Sequence, residues 1–190
     1  MCGRLNVTSD PVAQWLMEAL DVPFHTTSNA DLRPTQQVDV LANHDGNISQ
    51  FGTQWGIKPA WSKKLLINAK AETAAEKTTF KAAFHSQRCV VPCTGWYEWR
   101  DEGGPRKQKY SFTHADKIPF LMGGIYFNNH DSTELVTLTT QPNQKCAGIH
   151  HRMPVLIHAN ELQRWLQGSV EDVMPLIGLV ADNVIDIHKA

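Results

Sequence analysis

The chain has 190 residues, of which 42% are hydrophobic and 19% are charged, and its formal net charge is -1 at pH 7. This length suits one domain that buries roughly 70% of its unfolded surface, and the composition is that of an ordinary globular protein. No stretch approaches the ~18 apolar residues of a membrane span, so we expect no membrane partner, while the near-zero charge neither indicates nor excludes nucleic acid.

The four cysteines are not accompanied by an apolar leader, because the first candidate segment, VAQWLMEAL, contains Gln14 and Glu18. A secretory leader requires an uninterrupted apolar core, and cysteines without one are typical of the reducing cytosol. We therefore expect a cytoplasmic protein whose mature chain begins at Cys2, since this small residue permits removal of Met1.

The first half of the chain contains helix and hairpin signals. Asp10 and Pro11 suit an N-cap and a first helical residue, and apolar residues at helical spacing predict a helix over residues 11–20. Asp45-Gly46 lies between two strand-like runs and indicates a hairpin turn. The later segment AETAAEKTTFKAAFHSQ is rich in helix formers and predicts one helix or two short ones.

The second half is rich in β-prone runs joined by short turns. These runs are RCVVPCTGWYEWRD, KQKYSFTHA, IPFLMGGIYFNN, ELVTLTTQPN and MPVLIHA, and a helix over NELQRWLQG follows, capped by Asn160 and ended by Gly168. Short connections favour antiparallel pairing. We predict an α+β fold in which residues 1–190 form a single compact domain with a curled, largely antiparallel, barrel-like β core flanked by helices.

Cys2 would combine two nucleophiles once Met1 is removed. An N-terminal α-amine titrates at about 7.7–8.0, against about 10.4 for lysine, and is therefore more often neutral at physiological pH. It can condense with an aldehyde, and the thiol of the same residue can then attack the imine carbon and close a five-membered ring. The alternative is that Cys2 is only a small apolar residue.

A basic stretch in the first half favours a polyanionic partner. Four lysines occur there without an intervening acidic residue, and two tryptophans are interleaved: Lys58, Lys63, Lys64 and Lys70, with Trp55 and Trp61. Lysines can meet phosphates and rings can stack on bases, which suits single-stranded nucleic acid. A solvated lysine face over two core tryptophans is the alternative.

Three further residues have the properties of catalytic groups. Asn68 precedes an alanine-rich helix, although a capping role is an alternative. Glu98 lies among aromatic residues on a predicted strand, where burial would raise its pKa, unless it pairs with an arginine on an exposed face. His150 in HHRMP suits a proton shuttle, although a lone histidine is usually structural.

The cysteine and histidine spacing raises the question of a metal site. The spacings of Cys89-x3-Cys93 and Cys146-x3-His150 are close to the ligand spacing of a structural zinc site. The segment CVVPC is strand-like, however, whereas zinc knuckles usually lie in glycine-rich turns. We therefore predict no metal site.

Six ordered motifs reveal a resemblance to a known family. They are Cys2-Gly3-Arg4, RPTQQV, QWGIKPAW, NAKAET, RCVVPCTGWYEW and HHRMP, and together they span roughly residues 2–170. With these motifs the chain resembles the SRAP family, SOS-response-associated proteins that attach covalently to abasic sites in single-stranded DNA. The resemblance implies a compact domain with a barrel-like core and a positively charged groove leading to the N-terminus.

The resemblance also implies roles for individual residues. It makes Cys2 the crosslinking residue, Asn68 the residue that orients the sugar, and Glu98 and His150 proton-transfer groups. The implied DNA contacts are Arg4, Trp55, Lys70, Arg88 and Arg152. Two positions depart from the family: Lys70 replaces a usual arginine and loses the bidentate fork, and Asp31 stands where an asparagine is more typical, so it receives no DNA-binding role.

These observations lead to a hypothesis for function. The protein would sense abasic sites in single-stranded DNA, act as a cytoplasmic monomer that becomes nucleoid-associated on DNA, and form a thiazolidine crosslink through Cys2 without a cofactor. Autoproteolytic peptidase and abasic-site lyase activities are further implications of the resemblance. The alternative is an N-terminal-nucleophile hydrolase or cysteine peptidase, in which the amine of Cys2 serves as base for its thiol.

Overall fold

The computed structural model describes residues 3–129, 132–178 and 180–190. These ranges contain the following strands: β1 (Leu5–Val7), β2 (Asn29–Leu32), β3 (Gln37–His44), β4 (Asn47–Trp55), β5 (Asn68–Lys70), β6 (Arg88–Cys93), β7 (Gly95–Arg100), β8 (Gln108–His114), β9 (Phe120–Asn128), β10 (Thr133–Thr140), β11 (Met153–Pro154), β12 (Leu156–Ile157) and β13 (Ile185–Lys189).

The helices are short, apart from the first. They are α1 (Ser9–Leu20), α2 (Ala71–Ala74), α3 (Lys81–Ser86), α4 (Gln144–Ala147), α5 (Leu162–Gln167) and α6 (Val170–Val173), with 3₁₀ turns at Ala159–Glu161, Met174–Ile177 and Asp182–Val184. The mixture of strands and helices confirms the predicted α+β class. Within the described ranges, no helix is long and apolar enough to cross a membrane.

The strands form two sheets that are mostly antiparallel. One sheet has the order β13-β8-β7-β1-β2, and the other has the order β11-β10-β4-β3-β6-β9-β12. An additional antiparallel pairing of β10 with β9 closes β10, β4, β3, β6 and β9 into a ring. This ring confirms the curled core, and the parallel pairings of β10 with β4 and β5 are the exceptions to the antiparallel pattern.

Two glycines are required by the local geometry. Asp45 and Gly46 both have positive φ, 50° and 85°, as a tight hairpin between β3 and β4 demands. This turn confirms the predicted hairpin. Gly95, at the start of β7, lies so close to β8 that an added Cβ would stand 2.2 Å from the carbonyl oxygen of Phe112. A side chain there would therefore displace the strand that carries Glu98.

The helix boundaries differ in part from the prediction. The first helix begins at Ser9 with Thr8 as its N-cap, so Asp10 lies in the first turn instead of capping the helix. Asn160 lies inside a 3₁₀ turn, and Glu161 takes the N-cap position of α5, which is followed by Gly168 as predicted. The alanine-rich segment forms two short helices, as one of the predicted alternatives required.

The buried apolar residues pack on both sides of the ring. In one cluster Trp165 contacts Phe84 edge to face at 6.2 Å and donates its indole N–H to the carbonyl of Cys89 at 3.0 Å. In the other, Trp96 stacks on Phe112 of the neighbouring strand at 4.8 Å. Trp96 is two residues before Glu98 on β7, so alternation along the strand directs Glu98 to the same buried face.

Candidate functional site

Glu98 is a buried carboxyl group on β7. The strand is paired on both sides, with β1 and with β8, and the exposed fraction of Glu98 is 3%. Burial raises the pKa of Glu98 to about 7, because a charged carboxylate loses hydration inside the protein. The alternative of an exposed Glu98–arginine pair does not apply, since Arg100 hydrogen-bonds instead to Tyr110 and to the carbonyl of Gly148.

His150 lies next to Glu98. The turn after α4 carries it, and its Nε2 is 4.0 Å from Oε2 of Glu98. Burial lowers the pKa of His150 from its ordinary value. The pKa of the acid is thus raised and the pKa of the base is lowered, which is typical of groups that exchange protons during a reaction.

Asn68 lies at the start of β5, which runs parallel to β10. Its side-chain oxygen accepts a hydrogen bond from the hydroxyl of Thr137 at 2.6 Å. This bond holds the side-chain amide of Asn68 against β10. The capping alternative does not apply, because Lys70 and not Asn68 takes the N-cap position of α2.

The N-terminal segment runs beside the strand that carries Glu98. Leu5 is paired with Trp96, and the backbone N–H of Tyr97 donates to the carbonyl of Arg4 at 3.0 Å. Cys2 lies outside the described residues. The described chain therefore reaches β7 only two residues after Cys2.

Arg4 is engaged by an acidic and an aromatic neighbour. Its guanidinium pairs with Asp31 and lies 5.4 Å from the ring centre of Trp99. Hydrogen bonds from Arg33 and Arg4 lower the pKa of Asp31 to about 2. Asp31 therefore stays ionised and offsets part of the positive charge beside the N-terminal segment.

Comparison with known proteins places this arrangement in a family. The family model described as SOS response associated peptidase (SRAP) matches residues 1–188. The chain belongs to the SRAP family. Three curated relatives are each named abasic site processing protein: YoaM of Bacillus subtilis (29% identical, covering 87% of this chain and 79% of the relative), YoqW of B. subtilis (30%, 90% and 83%) and YedK of Escherichia coli (29%, 90% and 81%).

Solved structures share the SRAP fold seen here. A crystal structure of a protein from Bordetella bronchiseptica superposes with a TM-score of 0.85 over 100% of this chain and 99% of the other, at 19% identity. A phage-related protein of the same organism gives a TM-score of 0.82 at 21% identity, covering 100% of this chain and 94% of the other. These likenesses concern the fold alone.

Two residues that the SRAP resemblance made DNA contacts lie inside the protein. The side chain of Trp55 is fully buried, and its indole N–H donates to the carbonyl of Ile67 at 3.1 Å. Arg88 is 4% exposed, and its guanidinium donates to the carbonyls of Trp165, Phe84, His85 and Gly168. Neither position suits a contact with a phosphate or a base.

Arg152 is also buried, but close to the candidate catalytic groups. Its guanidinium donates to both oxygens of Glu72, at 2.8 and 2.7 Å, and to the carbonyl of Thr139 at 2.6 Å. By contrast, Lys70 is exposed at the end of β5, two residues from Asn68. Of these two cations, Lys70 is the accessible one.

Sequence reasoning assigned no role to Glu72. The signal was present, because NAKAET and HHRMP both stood out as motifs, but nothing in their spacing indicated that Glu72 of one would pair with Arg152 of the other.

The three cysteines of the candidate zinc motif are buried. Burial raises the pKa of Cys93 and of Cys146 to about 12 and also raises the pKa of Cys89. A thiol must lose its proton to bind zinc. In the part of the chain that the structure describes, no group of three or more His, Cys, Asp or Glu side chains could hold a metal ion.

We expect Arg88 to contribute to stability and not to DNA affinity. Arg88→Met leaves several buried carbonyls without their donor, so the free energy of unfolding should fall by at least about 2 kcal/mol. The matched control is Arg164→Met, because Arg164 is half-exposed and pairs with Glu161 at 3.6 Å. It should change stability by less than about 1 kcal/mol. Urea unfolding measures both, and an Arg88→Met protein of normal stability with weakened DNA binding would contradict the assignment.

Proposed function

We propose that this chain processes abasic sites in DNA by attaching covalently to the lesion through Cys2. Membership of the SRAP family and the names of its relatives support abasic sites as the substrate. The observation that carries the chemistry is the pair of buried Glu98 and half-buried His150, 4.0 Å apart, beside the strand that leads from the N-terminus. Such a pair can move the protons that the reaction requires.

The first step opens the sugar. An abasic sugar equilibrates between a ring-closed hemiacetal and an open aldehyde. His150 donates a proton to the ring oxygen while Glu98 accepts the proton of the anomeric hydroxyl and passes it to His150, so the bond from C1 to the ring oxygen breaks and the aldehyde forms. The amide of Asn68, held by Thr137, orients the sugar during this step.

The second step forms an imine. The neutral α-amine of Cys2 attacks C1, and Glu98 carries one amine proton to the carbonyl oxygen, which becomes a hydroxyl. Glu98 then carries the second amine proton to this hydroxyl, which leaves as water while the C=N bond forms. A carboxyl group whose pKa is about 7 suits both halves of this relay.

The third step closes the ring. The thiol of Cys2 adds to the imine carbon, its proton passes to the imine nitrogen, and a thiazolidine results without further loss of atoms. The adduct contains no C=N bond and shields the sugar from β-elimination. None of these three proposed steps requires a cofactor.

The short length of chain between Cys2 and Arg4 keeps Cys2 near Glu98 and His150. Two residues span at most about 7 Å of extended chain, and Arg4, two residues after Cys2, hydrogen-bonds through its carbonyl to the backbone of Tyr97. Tyr97 adjoins Glu98 in the sequence. The proposal therefore requires no large movement of the chain to bring the amine and the thiol to Glu98.

The DNA strand would follow the accessible cations. Lys58, Lys63, Lys64 and Lys70 are exposed, and Trp61, at 70% exposure, offers a ring to an unpaired base. We propose single-stranded DNA as the form bound, because stacking on Trp61 needs a base that is not stacked in a duplex. Trp55, Arg88 and Arg152 are left out of the proposed contacts since their side chains bond within the protein.

We expect the lysines of the basic stretch to affect affinity more than chemistry. Replacing Lys63, Lys64 or Lys70 by Gln should weaken binding and reduce the slope of log affinity against log salt by roughly one unit for each phosphate interaction removed. The matched control is Lys117→Gln, in the turn between β8 and β9, which should leave the slope unchanged. An unaltered slope in all three test variants would make the stretch a solvated face.

Oligonucleotides that differ only at the lesion test the proposed function. A single strand that contains uracil is incubated with the protein before and after excision of the base, and the products are separated under denaturing conditions. Only the excised strand should give a covalent product. Equal, salt-sensitive binding to both strands would reject the proposal in favour of a plain single-strand binder.

A second candidate is favoured by the family description, which contains the word peptidase. In that function the α-amine of Cys2 acts as base for its thiol, and the thiol attacks a peptide carbonyl. A peptide library distinguishes the two functions, because turnover of peptides in the absence of abasic DNA is expected only of a peptidase.

A further inference from the structure

Glu72 is linked by an ion pair to the segment that carries His150. It is the second residue of α2, and its two carboxylate oxygens accept hydrogen bonds from the two terminal nitrogens of Arg152 at 2.8 and 2.7 Å. Burial opposes ionisation of Glu72, but the bonds from Arg152 outweigh it and lower its pKa. Glu72 therefore stays charged at neutral pH and holds a guanidinium that is itself 6% exposed.

Arg152 in turn contacts the imidazole of His150 through its backbone. The backbone N–H of Arg152 lies 3.1 Å from Nδ1 of His150. The carbonyl oxygen of Arg152 also lies 3.1 Å from Nδ1, so the backbone of Arg152 holds this nitrogen in either tautomer of the ring. Nε2 is the nitrogen that faces Glu98 at 4.0 Å.

The turn before His150 has its own anchors. The side chain of Asn143 accepts from the backbone N–H of Cys146 at 2.8 Å, and Arg100 donates to the carbonyl of Gly148 at 2.9 Å. These bonds hold the chain on the N-terminal side of His150. The pair of Glu72 and Arg152 holds it on the C-terminal side.

We propose that Glu72 is a positioning residue for the reaction: through Arg152 it fixes the orientation of the His150 ring, so that Nε2 faces Glu98 and the sugar. This inference rests on the proposed function. Glu98, the ring of His151 at 4.3 Å and the charge of Lys107 also act on His150. All three remain when Glu72 is replaced, so none of them accounts for a change at His150 in that variant.

A double-mutant cycle separates this role from a general structural one. The rate of adduct formation is measured for the wild type, Glu72→Gln, His150→Ala and the double variant, with long incubations for the slow proteins. Glu72→Gln keeps the size of the side chain and one acceptor oxygen, and it should slow the reaction by about 10-fold or more, since misorientation of a catalytic group is costly. In the His150→Ala background the same change should have less than about a twofold effect.

The control for removal of an ion-paired glutamate is Glu161→Gln, whose partner Arg164 lies on α5. It should leave the rate unchanged in both backgrounds. An equal slowing by Glu72→Gln with and without His150 would overturn the proposal, and so would a normal rate of the single variant.

Nitrogen NMR of the free protein is a second test of the positioning role, and it does not require the reaction to occur. At a pH where His150 is neutral, the ¹⁵N shifts of its ring should differ between the wild type and Glu72→Gln, because the backbone of Arg152 no longer holds Nδ1 in the same position. Unchanged shifts would overturn the positioning role. If the wild type forms no adduct but the shifts move, the proposed function fails while the link from Glu72 to His150 stands.

Discussion

Extending the protein ahead of Cys2 with residues that are not processed away should abolish both the stable adduct and any imine with abasic DNA. The extension converts the α-amine into an amide nitrogen, which cannot attack an aldehyde, although the thiol remains. The loss should be complete and not graded, because the amine performs the first bond-forming step. Denaturing gels measure the adduct, and mass spectrometry verifies that the extension is intact.

Cys2→Ala is the complementary variant. Alanine is also small enough to permit removal of Met1, so the amine remains and an imine should still form, which borohydride traps. Without the thiol no ring closes, so no adduct should survive denaturation unless the reductant is present. An extended protein that forms the adduct at the normal rate would refute the mechanism, whereas a peptidase predicts no dependence on the abasic sugar in either variant.

Replacing either member of the acid–base pair, Glu98 or His150, should produce the second large effect. Glu98→Gln and His150→Ala should each slow adduct formation by about 10²–10⁴-fold, the usual contribution of a general acid or base. Both proteins should remain folded. Single-turnover rates with excess protein measure the effect, and near-normal rates in both variants would assign the proton transfers to other groups.

The pH dependence should identify the contribution of Glu98. As proton acceptor it must be ionised, so the rate should rise as pH passes through about 7, where burial has placed its pKa. The neutral α-amine contributes a second rise at about 8. Glu98→Gln should remove the rise in rate near pH 7 and keep the rise near pH 8. A wild-type profile without a rise near pH 7 would contradict the role of Glu98.

The free energy of unfolding should also depend on the ionisation of Glu98, but it should fall as pH rises, whereas the reaction rate should increase. The pKa of Glu98 is about 7 in the folded protein, against an ordinary value of 4.5 for a glutamate side chain. Between these values the folded state holds a proton that the unfolded state releases, so the free energy of unfolding falls as pH rises, by up to about 3 kcal/mol. Glu98→Gln should lack this fall, and urea unfolding between pH 5 and pH 8 provides a check that needs no DNA.

Local sequence signals predicted much of the fold. The Asp45-Gly46 turn needs positive φ at both residues and was visible as a dipeptide. The β-prone run around Glu98 formed a strand, and its alternation directed Glu98 to the face that also carries Trp96. Helix boundaries were less predictable, because Thr8, Ser9 and Asp10 all suit a helix start; the sequence pattern favoured Asp10 as the N-cap, whereas the structure has Thr8 there.

The site was less accessible to sequence reasoning because its contacts join distant segments. Nothing in the spacing of GWYEW and HHRMP shows that Glu98 and His150 lie 4.0 Å apart. The cations show the same limit. Arg88 and Arg152 resemble surface phosphate ligands in the sequence, but the fold surrounds one with backbone carbonyls and pairs the other with Glu72. Burial of a charged side chain depends on the partners that the whole fold supplies.

Intact mass spectrometry after reaction with an abasic single-stranded oligonucleotide tests covalent capture most directly. The account predicts one species with the mass of the chain without Met1 plus the oligonucleotide, less one water. Borohydride should leave this mass unchanged, because a thiazolidine has no C=N bond, and peptide mapping should place the DNA on Cys2. Covalent capture through Cys2 would be contradicted by the absence of a covalent species under denaturing conditions. It would also be contradicted by an adduct that maps to a lysine and gains two hydrogens on reduction.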